Sequence, residues 1–150
     1  MVQQYRATTM GTRGMVTTPH YLASQAALEI LHKGGNAIEA AIAAASTIAV
    51  VYPHMNGIGG DNFWLIYNAK TKEVKALNSS GRAGEQVTID YYVSKGYDKI
   101  PARGPLAANT VPGAVAGWGA AHAYAATEME NKLQWQELLT QSIHYAKEGF

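Results

Sequence analysis

The sequence predicts an α+β fold built of several stacked layers, and three observations carry that prediction. A glycine pair separates two early helices, a run of aromatic and branched residues in mid-chain reads as a β-hairpin, and two further helices follow, the first rich in alanine. Fifteen glycines and many alanines against two phenylalanines describe a core made by close approach of backbones, which accompanies layering.

Taken in chain order, Gly14 to Thr17 reads as a short buried strand entering the first helix. Thr18 is the expected N-cap of that helix with Pro19 at its first position, and Leu22, Ala26, Leu28, Ile30 and Leu31 supply its apolar face. His32 and Lys33 suit the negative end of the helix dipole, and Gly34 is placed to take the left-handed conformation that ends it. Asn36 then caps a second helix. Its side chain accepts from the N–H of the third helical residue, and Glu39 reaches back to the Asn36 N–H, an asparagine form of the capping box. From Ala37 to Val51 the sequence is apolar on nearly every face except at Glu39, Ser46 and Thr47, which marks a helix surrounded by protein.

Gly57-Ile58-Gly59-Gly60 reads as a sharp helix-to-strand turn using positive φ angles. Phe63 to Tyr67 is a strand, Asn68 to Lys72 a polar turn, and Glu73 to Leu77 a second strand whose charged residues give it one solvated face. Thr88 or Asp90 begins a short helix through Val93, ended by Gly96. Asp98 to Pro112, with three prolines, is a loop over the surface or over a site. An alanine-rich helix opens at Pro112, with Thr110 or Val111 near its start, and reaches about Ala126. A last helix spans about Gln134 to Lys147, with Trp135, Leu138, Leu139, Ile143 and Ala146 on one face, Gly149 as its cap and Phe150 set for an apolar contact. No internal boundary is needed, and residues 1–150 read as a single domain segment without repeats.

Composition excludes several classes of function. Charged residues are 15% of the chain and the formal net charge is +1, so no electrostatic footprint for nucleic acid or an anionic membrane is present. The absence of cysteine removes disulfides, thiolate metal sites and cysteine nucleophiles, and fits a reducing, cytoplasmic location. Met1-Val2-Gln3-Gln4-Tyr5-Arg6 lacks the basic and apolar regions of a secretory leader, and the Ala37 to Val51 run falls short of the roughly 20 residues a bilayer needs.

The glycine turn does not read as a phosphate loop. Dinucleotide and P-loop sites run strand, glycine loop, helix, whereas here a helix precedes the glycines and a strand follows. Neither a cofactor nor a metal is expected: the five histidines share no ligand spacing, and no Gly-x-Ser-x-Gly elbow is present. Arg82 stands out instead, just beyond the end of the second hairpin strand, where side chains point into a crevice. A guanidinium there can hold a carboxylate by two parallel hydrogen bonds, the alternative being an ordinary solvated loop arginine. Arg103 has a weaker version of the same case.

Four blocks, Gly34-Gly35-Asn36-Ala37-Ile38-Glu39-Ala40-Ala41, Pro53 to Gly60, Val111-Pro112-Gly113-Ala114-Val115-Ala116-Gly117 and Ala146-Lys147-Glu148-Gly149-Phe150, resemble in order the γ-glutamyltranspeptidase family. The resemblance implies the N-terminal part of the large segment of an N-terminal nucleophile hydrolase with an αββα four-layer sandwich. It further implies autocatalytic cleavage of a precursor and a threonine nucleophile that begins the small chain. That threonine lies outside these residues, so no catalytic residue is expected among them. The resemblance gives Arg82 the role of binding the α-carboxylate of a γ-glutamyl group in glutathione-like or poly-γ-glutamyl substrates. Two departures stand beside it: Glu39 where the family often has aspartate, and Ala83-Gly84-Glu85 where many members continue with Glu-x-Ala-Pro. The partners it implies are the remainder of the same polypeptide and a γ-glutamyl small molecule, with homo- or hetero-oligomers open. A catalytically silent relative that keeps the fold is the competing reading.

Overall fold

The computed structural model describes residues 8–150; the segment Met1 to Arg6, read above as leader-free, lies outside them. Among the described residues the elements are α1 (Tyr21–His32), α2 (Ala37–Val51), β1 (Asn62–Asn68), β2 (Glu73–Ser79), α3 (Ile89–Ser94), a 3-10 turn (Pro105–Ala107), α4 (Ala114–Glu128), α5 (Trp135–Leu138) and α6 (Thr140–Glu148). They fall into two compact units. One combines the chain up to Met55 with Ala125–Phe150, and the other is Asn56–Tyr124.

In the first unit α1 begins later than its sequence suggests. Thr18 is not the cap, because its hydroxyl is drawn into a local turn, 2.6 Å from the His20 carbonyl and 2.7 Å from Ser24 Oγ. His20 takes the role, its Nδ1 accepting from the Leu22 N–H at 3.3 Å, so Pro19 lies before the cap. At the other end Gly34 has φ 89°, its N–H donates to the Leu31 carbonyl, and the Gly35 N–H donates to that of Ile30. These two bonds form the Schellman closure that the glycine pair predicts. Glu29 links α1 to α6: Lys33 Nζ lies 2.6 Å from one carboxylate oxygen and Gln141 Nε2 donates to the other at 2.8 Å. The hydrogen bonds from Lys33 and then Gln141 hold this carboxyl below its ordinary range.

The span and cap of α2 are as expected. Asn36 Oδ1 accepts from the N–H groups of Ile38 and Glu39, both at 3.0 Å, and the Asn36 N–H donates to Glu39 Oε2 at 2.7 Å. The other carboxylate oxygen reaches much farther along the chain, accepting from the backbone N–H groups of Lys132 (3.0 Å) and Leu133 (2.8 Å). Asn36 Nδ2 adds a bond to Asn131 Oδ1 at 3.0 Å. Glu39 is fully buried, and its carboxylate staples the start of α2 to the loop before α5. α1 and α6 both pack on α2.

One flank of α2 stays open. Ala41, Ala44 and Ala45 line, with Met15, Val16 and Leu31, an apolar groove of about 410 Å³. The strand expected from Gly14 to Thr17 is not formed. A strand needs a neighbour for its N–H and C=O groups, and among the described residues this unit offers only helices.

The expected last helix is divided into α5 and α6 at Leu139, whose N–H closes back to the Gln136 carbonyl at 3.3 Å. The hydroxyls of Thr140 and Ser142 bond to the carbonyls of Gln136 and Leu139, the local competition by which such side chains interrupt a helix. Leu138 is buried but Ile143 and Ala146 are exposed, so the single apolar face does not persist. Gly149 caps α6 with φ 89°, and the Phe150 ring stands edge-on to His20 at 6.2 Å. His54, to which the sequence assigns no role, packs its ring 4.2 Å from that of Tyr52.

The second unit is organised by the hairpin. β1 and β2 pair antiparallel from Asn62↔Ser79 to Asn68↔Glu73, and the turn is held by the Lys72 N–H on the Asn68 carbonyl and the Lys70 N–H on Asn68 Oδ1. The expected solvated face of the second strand is present, with Glu73 and Lys75 exposed, but the opposite, apolar face is open too. Glu73 and Lys75 stand on the side of the buried Asn68 and Ile66, whereas Phe63, Leu65, Tyr67, Val74 and Ala76 form the apolar face, with Leu65 79% exposed. Alternation gives the two faces but not which one is covered. Thr88 is the cap of α3, its Oγ1 accepting from the Tyr91 N–H at 3.2 Å, and Gly96 (φ 80°) follows the helix. α4 buries Ala114, Gly117, Trp118 and Ala121 and leaves Val115, Ala116, Gly119, Ala120 and Ala123 exposed. An apolar sheet face and an apolar helix face left in water, worth about 25 cal/mol per Å² on burial, are the features expected of part of a layered body.

Candidate functional site

Three segments of the second unit converge at the end of the hairpin. β2 stops at Ser79, and the next residues run beside the end of the long loop: the Val111 N–H donates to the Arg82 carbonyl at 2.9 Å, the Gly84 N–H donates to the Asn109 carbonyl at 3.1 Å, and Ala83 and Thr110 form a β-bridge. The approach is so close that a Cβ on Gly81 would stand 1.4 Å from the Val111 carbonyl oxygen. Only glycine fits there.

The third segment is the glycine turn. The Gly60 carbonyl accepts from the N–H groups of Gly113 (3.0 Å) and Ala114 (2.9 Å), which satisfies donors at the start of α4. Ser79 Oγ donates to the Gly113 carbonyl at 2.7 Å, and a Cβ on Gly117 would meet Asn62 and Ser79 at 2.8 Å. Asp61 Oδ1 accepts from the Gly81 N–H at 3.2 Å. Gly57, Gly59 and Gly60 do not use the positive φ angles expected of them, and open space surrounds each.

Arg82 therefore sits on backbone fixed from two sides, while its guanidinium is exposed and makes no hydrogen bond or ion pair with any described residue. Such a group is free to receive a carboxylate through two parallel N–H donors. Arg103 is exposed ahead of the 3-10 turn and takes no part in these bonds. Reading the sequence finds Arg82 from its place beyond a strand end. It misses Asp61, although an aspartate between a glycine run and an aromatic strand is a signal for a side chain that accepts backbone N–H groups. Among the described residues no group of three or more His, Cys, Asp or Glu side chains is arranged to hold a metal, and no helix is long and apolar enough to cross a membrane.

A sequence profile described as gamma-glutamyltranspeptidase matches residues 23–150. The chain belongs to the gamma-glutamyltranspeptidase family. It is 49% identical over 141 residues to the glutathione hydrolase-like YwrD proenzyme of Bacillus subtilis, covering 94% of this chain and 26% of that protein. It is also 49% identical over 140 residues to the oxamate amidohydrolase proenzyme of Klebsiella pneumoniae, covering 93% and 26%. Among solved structures, the gamma-glutamyltranspeptidase of Helicobacter pylori superposes with a TM-score of 0.80 at 31% identity, over 93% of this chain and 39% of that one. The chain thus spans about a quarter of the length of these curated relatives. Its fold is α+β, a portion of the αββα sandwich of the gamma-glutamyltranspeptidases.

Proposed function

We propose that the protein containing this chain is a γ-glutamyl hydrolase or transferase, and that Arg82 binds the α-carboxylate of its substrate. The observation that carries the reading is a guanidinium without a partner among the described residues, on a backbone clamped by three hydrogen-bonded segments, in a member of this family. The nucleophile is a threonine outside these residues, made N-terminal by autocatalytic cleavage, with its own α-amine as base. It attacks the γ-carbonyl, the amine leaves, and the acyl-enzyme passes its γ-glutamyl group to water or to a second amine. Residues 1–150 act as one segment of the large chain, their partner is the remainder of the same polypeptide, and the location is cytoplasmic. The relatives' description as proenzymes supports the processing step.

A second reading concerns the substrate. The 49% identity to an oxamate amidohydrolase proenzyme, together with Ala83-Gly84-Glu85 after the arginine, favours a smaller amide whose carbonyl bears the carboxylate directly. Arg82 would hold that carboxylate in the same way.

The test is kinetic. In the full-length protein, Arg82→Ala is expected to raise KM for a γ-glutamyl anilide by about 10- to 100-fold, the worth of a charge-assisted bidentate contact, while an anilide lacking the α-carboxylate keeps its KM. Equal effects on both substrates defeat the assignment. Turnover of oxamate with none of the anilide selects the second reading.

A further inference from the structure

We propose that Asp61 is a positioning residue for Arg82, holding the Gly81 peptide so that the guanidinium is presented to the substrate carboxylate. The inference rests on the reading of Arg82 given above and adds a residue to that site.

The backbone after β2 is clamped on one flank by the 109–111 segment, through the bonds to the Arg82 carbonyl and from the Gly84 N–H. Those bonds fix Arg82 to Gly84, but the Ser80–Gly81 peptide that leads into them is fixed from elsewhere. Its N–H, that of Gly81, donates to Asp61 Oδ1 at 3.2 Å, a bond made across the start of the hairpin by a residue 20 positions earlier. Gly81 has no freedom towards Val111, whose carbonyl oxygen occupies the place of a Cβ. Asp61 therefore closes the flank that the 109–111 segment leaves open. The residue before it, Gly60, accepts from the first N–H groups around α4, so the aspartate is itself carried by an anchored backbone.

The chemistry of this contact distinguishes it from an ion pair. Asp61 forms no salt bridge with Arg82, and the oxygen that faces the turn is used as an acceptor for a neutral N–H. Acceptance, not charge, is what positions the turn. An amide in place of the carboxylate supplies the same acceptor and also removes a negative charge close to where a substrate anion would bind.

The experiment uses the full-length protein with L-γ-glutamyl-p-nitroanilide and, as the probe without the α-carboxylate, the 4-aminobutyryl anilide. Asp61→Ala is expected to raise KM for the first by about five- to twentyfold, with kcat within about twofold of the parent, and to leave KM for the second unchanged. Asp61→Asn is expected to keep the parental KM for the second anilide and to give a KM at or below the parent's for the first, since the acceptor stays and a like charge is gone, and since Asp61 is exposed, thermal unfolding of all variants should coincide. A parental KM for Asp61→Ala, with Arg82→Ala still impaired, overturns the positioning role alone. Asp61→Asn as impaired as Asp61→Ala also overturns it, as does a fall of kcat on both anilides. If Arg82→Ala is itself without effect, the parent reading of the site fails, and the inference with it.

Discussion

Replacing Glu39 by alanine is expected to lower the stability of the fold by about 3–5 kcal/mol, among the largest effects a single side chain here can have. The carboxylate is fully buried and accepts from three backbone N–H groups, those of Asn36, Lys132 and Leu133. Truncation leaves three partly buried backbone donors without the carboxylate, each costing up to about 1–3 kcal/mol where water cannot replace it. Glu39→Gln keeps the shape but offers one acceptor oxygen and turns an NH₂ towards a donor, so about 2–3 kcal/mol is expected. Glu137→Gln is the control: it is exposed and takes one N–H, that of Gln134, at 2.8 Å, so its loss should cost about 1 kcal/mol or less. Urea and thermal unfolding of the three variants give the order directly. A loss within 1 kcal/mol for Glu39→Ala, judged against the usual cost of stranding buried donors, would show that the staple does not carry the start of α2.

The second large effect is at Gly81. An added Cβ would meet the Val111 carbonyl oxygen at 1.4 Å and its carbon at 2.6 Å, and both belong to backbone that cannot rotate away. To make room the 109–111 segment must separate from Arg82–Gly84, which breaks the Val111 to Arg82 bond and the Ala83 to Thr110 bridge. Gly81→Ala should cost about 3 kcal/mol or more and also raise KM for carboxylated substrates as far as Arg82→Ala does, since the guanidinium loses its platform. Gly34 makes the comparison, because its φ of 89° strains any side chain but nothing lies within 4 Å of an added Cβ. Gly34→Ala should cost about 1 kcal/mol and leave KM unchanged. Similar losses for the two variants would mean that the close approach at Gly81 is not a constraint.

These two glycines and Glu39 mark how far the sequence can be read. Gly34 and the Asn36–Glu39 box act within a few residues, so spacing alone identifies them, and the structure places both as read. The second oxygen of Glu39 serves Lys132 and Leu133, more than 90 positions away, and no local pattern encodes that. Gly81 is likewise required by Val111, which approaches only in the folded chain. The hairpin is legible from its alternation and its turn, but which face is open depends on what covers the sheet, and the apolar face here awaits a layer that these residues do not supply. The strand expected at Gly14 to Thr17 does not form because no strand among the described residues pairs with it. Arg82 is legible because it follows a strand end; Asp61 can be read as an acceptor of backbone N–H groups, but its partner Gly81 cannot, because it lies across the hairpin.

The claim on which the account turns is that the free guanidinium of Arg82 is a receptor for the substrate carboxylate. A crystal structure of the mature full-length protein soaked with L-glutamate, the hydrolysis product of the proposed reaction, tests it most directly. Glutamate is expected with its α-carboxylate paired to Arg82 by two parallel N–H···O bonds of about 2.7–2.9 Å, and its side-chain carboxylate directed towards an N-terminal threonine. Glutamate held through other residues, with Arg82 still in solvent, would contradict it.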